Sequence, residues 1–346
     1  MLRCFASILA LILVALIPAK SLYADDSIYQ GNGYQVFPTK SSDVQLVAET
    51  ITITDNKAFG RSKRDNFSFV VDMTFKNHGG DAVIQMGFPV LIDEFEGEQT
   101  EINTHFRTWV NGQEVPIAKK EGVPNPGIKD SHFSKLVYTY TVAFKTGEVK
   151  QIKHSYDVGG ISNSMGGWSL KYVLRTGGLW KGVIEDYSMK YVSKISKANE
   201  IIGALPKENK AELNDGSLIL SWNIKNFKPK NDFILIGGSA RHPLRFRSLS
   251  SDTTAIKEYH GIMPSAELRY AKNKVFAEYG YPFKNPLVRA QFYYAGSRYK
   301  ESAAFSEEKM SKEHQDYIKW LSKLEEEQMK PGGFDDKITS GLLPYY

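Results

Sequence analysis

The sequence predicts a mainly β protein, an antiparallel β-sandwich followed by a small all-α domain of three helices. Three observations carry this. Apolar residues alternate with a period of two from about residue 43 to 237, which is the signature of half-buried strands. Turn signals separate these runs at regular intervals with no helical pattern between them, and that favours antiparallel neighbours. From residue 265 onward the apolar spacing lengthens to that of amphipathic helices. The 19 Tyr and 19 Phe suit the first of these, because aromatic side chains fill pleated faces well.

The first element reads as a secretory signal. Arg3 gives a positive start, Phe5 to Ile17 is apolar except for Ser7, and Leu22-Tyr23-Ala24 ends the run with a small residue. Export signals need this order of positive, apolar and small. A membrane-spanning helix would need about 20 apolar residues, more than this run supplies. Cleavage after Ala24 would remove Arg3 and Lys20 and lower the formal charge from +5 to +3. So mild a charge does not demand a nucleic acid, and none is expected as a partner. The single cysteine, Cys4, would leave with the signal. Disulfides, thiolate catalysis and cysteine-ligated zinc are then excluded.

Strands are expected in order over Val44–Ile53, Phe67–Phe75, Ala82–Phe88, His105–Val110, Lys135–Phe144, Lys150–Val158, Ser169–Arg175, Tyr187–Ile195, Ser217–Phe227 and Phe233–Ile236. Asn111-Gly112, between Trp109-Val110 and Glu114-Val115, is the sharpest hairpin signal. Lys197–Asp215 reads as a polar insertion with room for a helical turn. Gly237–Pro264 reads as a linker rich in Ser, Thr, Gly and basic residues. In the helical part, Ser265 is placed to cap a first helix that Gly280 and Pro282 end. Asn285 is placed to cap a second helix beginning at Pro286. Ser306 is placed to cap the longest, with Met310, His314, Tyr317, Leu321 and Leu324 facing inward. The division this gives is 1–24 signal peptide, 25–237 β-sandwich domain, 238–264 linker, 265–328 helical domain and 329–346 flexible tail.

Lys272-Asn273-Lys274-Val275-Phe276-Ala277-Glu278-Tyr279-Gly280-Tyr281 resembles the signature of the YARHG domain, a small module of exported bacterial proteins. Glu278 and Tyr279 replace the usual Arg-His, and Arg298 stands before Tyr299 where a Trp is usual. The resemblance implies an address in the bacterial envelope or exterior, periplasmic or extracellular, and implies no reaction. Thr176-Gly177-Gly178-Leu179-Trp180-Lys181-Gly182 resembles the Thr-Gly-x-x-Trp-Lys-Gly element of exported β-rich domains of unknown function. Met86-Gly87-Phe88-Pro89, Phe106–Glu114, and Trp222 with Phe227, Pro229 and Asp232 fit the same family.

Two readings of the 176–182 loop compete. Its aromatic and cationic residues suit recognition of a sugar or an anionic polymer. As a structural corner, Trp180 folds back over apolar surface while Lys181 stays in water, and this reading is favoured. The candidate binding residues are Arg175, Trp180 and Lys181 in the β region, with Tyr281 and Tyr299 in the helical one. The seven histidines include no pair at the spacing of a zinc helix. Asp93-Glu94-Phe95-Glu96-Gly97-Glu98 carries half of a calcium-loop pattern and reads better as a solvated loop. Arg241–Arg247 reads as a solvated basic linker segment. No metal, cofactor or catalytic group is therefore expected. The favoured function is a non-enzymatic binding protein for an envelope polymer or protein. The alternatives are a hydrolase of wall polysaccharide or peptide, and an accessory subunit of an envelope complex.

Overall fold

Strict alternation builds the largest sheet. Over Phe67–Asn77, Phe67, Phe69, Val71, Met73 and Phe75 are buried while Asp72 and Lys76 face water. The computed structural model describes residues 27–30, 35–41, 43–56, 67–90, 92–95, 98–101, 103–123, 136–159, 161–162, 167–238 and 263–340. In chain order the first strands are β1 (Ser27–Gln30), β2 (Gln35–Thr39), β3 (Val44–Asp55), β4 (Phe67–Asn77), β5 (Ala82–Pro89), β6 (Ile92–Phe95) and β7 (Glu98–Glu101). Next come β8 (Asn103–Val110), β9 (Gln113–Val115), β10 (Ala118–Gly122), β11 (Leu136–Phe144), β12 (Val149–Val158) and β13 (Ile161–Ser162). The last are β14 (Gly167–Tyr172), β15 (Ile184–Lys194), β16 (Ile201–Leu205), β17 (Lys210–Asn214), β18 (Ser217–Phe227) and β19 (Phe233–Gly238). The helices are α1 (Ser265–Glu278), α2 (Pro286–Phe292), α3 (Lys312–Gln328) and α4 (Phe334–Thr339). None of them is long and apolar enough to cross a membrane.

The described strands form an eight-stranded sheet in the order β17-β18-β15-β3-β4-β12-β8-β9, a small closed barrel β1-β2-β10-β11-β5, a four-stranded sheet β13-β14-β19-β16 and the hairpin β6-β7. The chain is mainly β, as expected, but its sheets are mixed. β15 runs parallel to β3, and β10 parallel to β2. Hairpins force antiparallel neighbours only between strands joined by short turns. β3 and β15 are far apart in the chain, so no turn fixes their direction. The Asn111-Gly112 hairpin forms as expected, with both residues at positive φ and Val110 opposite Gln113.

Other differences are local. The expected polar insertion after Lys197 holds a 3-10 turn, Ile195–Glu200, and then strands β16 and β17. Of the acidic segment expected as a solvated loop, Asp93, Glu94 and Phe95 lie in β6 and Glu98 in β7, paired as antiparallel strands. Ser306 caps only a 3-10 turn, Glu307–Lys309, and α3 is capped one turn later, where Ser311 accepts the His314 N–H at 3.2 Å. Residues 329–346, expected as a flexible tail, contain α4, so the described residues of the C-terminal part hold four helices rather than three. The signal (1–24), most of the linker (239–262), and with it Arg241–Arg247, lie outside the described residues.

Two apolar cores result. The first gathers inner residues of the large sheet, the barrel and one face of the four-stranded sheet, including Phe75, Phe88, Tyr140, Trp168, Tyr172 and Phe233. The second lies on the other face of the four-stranded sheet. There Ile202, Leu205, Ile234 and Ile236 meet Leu268, Phe292 and Leu321 of the helices. β19 is therefore buried on both faces along its whole length, which explains its unbroken Phe-Ile-Leu-Ile run. Tyr317 packs against the second core, and Val275 of α1 is fully buried. The Gln291 amide donates to the carbonyls of Ile201 and Ile202 at 2.8 and 2.9 Å, and so occupies acceptors on the edge strand β16.

Candidate functional site

The ends of β15 and β18, the turn 228–232 and the helices enclose a cleft of about 670 Å³. That volume falls within the range of small-molecule sites, roughly 300–1,000 Å³. Its floor is apolar because β15 and β18 alternate and present Tyr187, Met189, Trp222 and Ile224 there, with Phe227 at the end of the strand. The opposite wall comes from the N-terminal turn of α1, with Arg269, from Met329-Lys330-Pro331 beyond α3, and from α4.

A buried ion network fixes the rear of the cleft. Asp232 is fully buried. Its Oδ1 accepts Arg175 Nε at 2.9 Å, and Arg175 Nη2 lies 2.9 Å from Oδ2. The first contact is a hydrogen bond and the second a close charge contact. Lys171 Nζ approaches the same Oδ2 at 3.4 Å. Burial lowers the Lys171 pKa, and the charge of Asp232 opposes that fall. The Asp232 N–H donates to the Thr339 carbonyl at 2.8 Å, and Arg175 Nη1 donates to the Ser340 carbonyl. The β region and the C-terminal end of α4 are thus joined through the Asp232 backbone N–H and through Arg175, which the Asp232 carboxylate holds in place.

α4 also braces α1. The Asp335 carboxylate accepts the Ser265 N–H at 2.8 Å. Pro264, one residue before the expected cap, holds the N-cap position without a side-chain bond, so Asp335 performs from another helix the capping role expected of Ser265. Burial raises the Asp335 pKa. Asp336 accepts Asn231 Nδ2 at 3.0 Å and the Gly332 N–H at 2.9 Å. Arg269 Nε donates to Glu325 at 2.8 Å, and Lys272 reaches the other oxygen of that carboxylate at 2.7 Å.

The candidate residues from the sequence fall into different roles. Arg175 spends its guanidinium on Asp232 and Ser340. Trp180 is only 3% exposed and packs against Phe75 with ring centroids 4.7 Å apart, so it presents no face to solvent. Its carbonyl accepts Lys228 Nζ at 2.8 Å. Lys181 is exposed, and its N–H donates to the Val44 carbonyl at 3.0 Å. Tyr281 rests among Phe276, Phe283 and Phe305. The Tyr299 hydroxyl accepts from Arg298 at 2.9 Å, and its ring meets Phe292 edge-on. Arg175 and Trp180 therefore touch residues that line the cleft, while Tyr281 and Tyr299 do not line it.

The departures from the YARHG signature compensate one another. Arg298, in place of Trp, pairs with Glu278, in place of Arg, at 3.4 Å. Tyr279, in place of His, bonds His314 Nδ1 at 2.8 Å and accepts the Ser311 N–H at 3.1 Å. Gly280 of the signature has φ +79°, and a Cβ there would meet Ser302 Cβ at 2.7 Å. Only glycine suits both constraints.

Lys207, Lys228, Lys230 and Lys330 also line the cleft and were not singled out from sequence. The available signal was Phe227-Lys228-Pro229-Lys230, two cations flanking a proline straight after an alternating strand. Among the described residues, no three His, Cys, Asp or Glu side chains gather as a metal site.

No curated protein sequence matches the chain. A candidate nutrient-binding protein of Legionella pneumophila is similar in structure, with TM-score 0.50 and 20% identity over 87% of this chain and 99% of that one. An M1 zinc metallopeptidase of Deinococcus radiodurans aligns at TM-score 0.34 and 11% identity, over 74% of this chain and 58% of its own. Legionella pneumophila aminopeptidase A aligns at TM-score 0.30 and 11% identity, over 58% of this chain and 22% of its own. The chain thus spans about half or less of these peptidases' length. Residues 246–326 match the YARHG domain family, so that domain occupies the C-terminal part of the chain, beginning upstream of the expected residue 265.

Proposed function

We propose that the protein is exported and serves in the cell envelope as a non-catalytic binding protein, with the cleft beside Trp222 as its ligand site. The observation that carries this is the construction of the cleft. The sheet supplies an apolar floor, the C-terminal helices supply the facing wall, and the buried Arg175–Asp232 pair with its Thr339 and Ser340 contacts holds the two together. Concave apolar sites with a few placed polar groups are the usual form of small-ligand pockets. The YARHG match and the positive, apolar, small order of residues 1–24 support export. Likeness of fold to a candidate nutrient-binding protein fits a binding role.

Native mass spectrometry of the protein after incubation with an envelope extract tests the reading. The wild type is expected to carry a small-molecule adduct. Ile224→Trp, which fills the cleft, is expected to lose it. A wild type that emerges without ligand, or an adduct that survives Ile224→Trp, refutes the assignment of this site.

A further inference from the structure

We propose that the cleft takes a monomeric amphipathic anion, with its apolar body on Ile224 and Phe227 and a carboxylate or phosphate head between Lys228 and Lys230. This rests on the reading of the cleft as a ligand site and adds the chemistry of the ligand.

The charges that line the cleft favour an anion. The cleft is lined by five cationic side chains and three carboxylates. Every one of those carboxylates is already engaged within the protein. Asp232 holds Arg175 and Lys171, Asp335 holds the Ser265 N–H, and Asp336 holds Asn231 and the Gly332 N–H. Arg269 is engaged by Glu325. Lys207, Lys228, Lys230 and Lys330 remain, and none of them forms an ion pair among the described residues. Lys228 is the anchor. A backbone carbonyl, that of Trp180, holds its ammonium at 2.8 Å. Burial, then the charge of Lys40, lowers its pKa, so its charged form lacks the counter-charge that an anion would bring.

The floor adds the second half. Ile224 and Phe227 are half-buried, and Met329 is 51% exposed at the opposite lip. A small inorganic anion has no use for these contacts, and a neutral lipid has no use for the lysines. A cleft admits a single molecule, whereas a membrane surface needs a protruding face.

The test titrates the purified protein with dodecanoate, dodecyl phosphate, dodecyltrimethylammonium and inorganic phosphate, each below its aggregation concentration, by calorimetry at low and high salt. Both anionic amphiphiles should bind once per chain, at least about tenfold tighter than the cation or inorganic phosphate, and weaken with salt. Lys228→Gln with Lys230→Gln should weaken both by about tenfold or more, and Phe227→Ala should weaken both by a similar factor. Lys230→Gln with Lys330→Gln, both exposed positions, keeps the test decisive if loss of the Lys228 anchor unfolds the corner. Equal binding of dodecyltrimethylammonium, or unchanged binding by the lysine variants, overturns the head-group assignment and leaves the cleft itself to the Ile224→Trp result. Equal binding of inorganic phosphate overturns the apolar half. Binding to anionic vesicles without binding of monomers overturns the single-molecule reading.

Discussion

At the scale of single residues, Asp232 and Gly237 carry more of the structure than their chemistry suggests in the sequence. Asp232 reads as one acid in a polar turn, yet it is the counter-charge for Arg175 and Lys171 and the tie to α4. Removing one partner of a buried ion pair costs more than the pair contributes, because the remaining charge stays in a poor medium. Asp232→Asn should therefore cost about 3–5 kcal/mol, read as a shift in urea midpoint. A loss within 0.5 kcal/mol, about the size of ordinary surface changes, would show that the network is dispensable. Gly237 is a different case, one of space. A Cβ on it would lie 2.0 Å from Trp168 Cε2, and that ring is buried against Phe67, with centroids 5.7 Å apart. Gly237→Ala should destabilise by about 1–3 kcal/mol through overpacking, and an unchanged melting curve would mean that Trp168 moves freely. Gly237 stood at the edge of the expected linker and gave no hint of this contact.

At the scale of elements, α3 was legible and its surroundings were not. Steps of four and three place Leu321 inward, and it is fully buried in the second core. Leu321→Ala should cost about 2–5 kcal/mol by loss of burial and creation of a cavity, with an accompanying loss of protease resistance in residues 265–328. Unchanged helical signal and protease resistance would contradict the packing. Tyr317 lies one turn earlier on the same face, and burial pushes its hydroxyl from 10.0 up to about 12. The unfolded chain loses this proton first. Stability from neutral Tyr317 is thus whole below pH 10 and drains as pH rises toward 12. Denaturation midpoints followed from about pH 9 to 12 should fall less steeply in Tyr317→Phe than in the wild type. Equal slopes would place the ring in water. The ten expected strands could be read because each shows one apolar and one polar face, or an apolar run between turn signals. β16 and β17 could not, because Ile201–Leu205 is too short for its period to be told from a buried helical turn. The parallel pairing of β3 with β15 was invisible for another reason, since long-range direction leaves no local trace.

At the scale of the whole molecule, the four-stranded sheet is where the two parts of the chain depend on each other. The Phe-Ile-Leu-Ile run of β19 was readable as a strand, but its burial on both faces was not, because one strand cannot show what covers it. The cleft was unreadable for the same reason. It is assembled from β15, β18, the turn 228–232, α1, α4 and the turn after α3, which meet only in the folded chain. The same dependence makes a firm expectation about truncation. A chain ending at residue 245 would lose the helices and uncover Ile202, Leu205, Ile234 and Ile236 on the outer face of that sheet. Exposing a buried aliphatic side chain costs roughly 1.5–3 kcal/mol, and four together approach the 5–15 kcal/mol that keeps a typical domain folded. The Asp232 N–H and Arg175 Nη1 would also lose the carbonyls of Thr339 and Ser340. The truncated chain should therefore bind a hydrophobic dye, self-associate and melt well below the full chain, by light scattering and thermal denaturation. Should it instead stay monomeric, leave the dye unbound and melt with the full chain, the helices would be an independent unit resting on a sheet that does not need them.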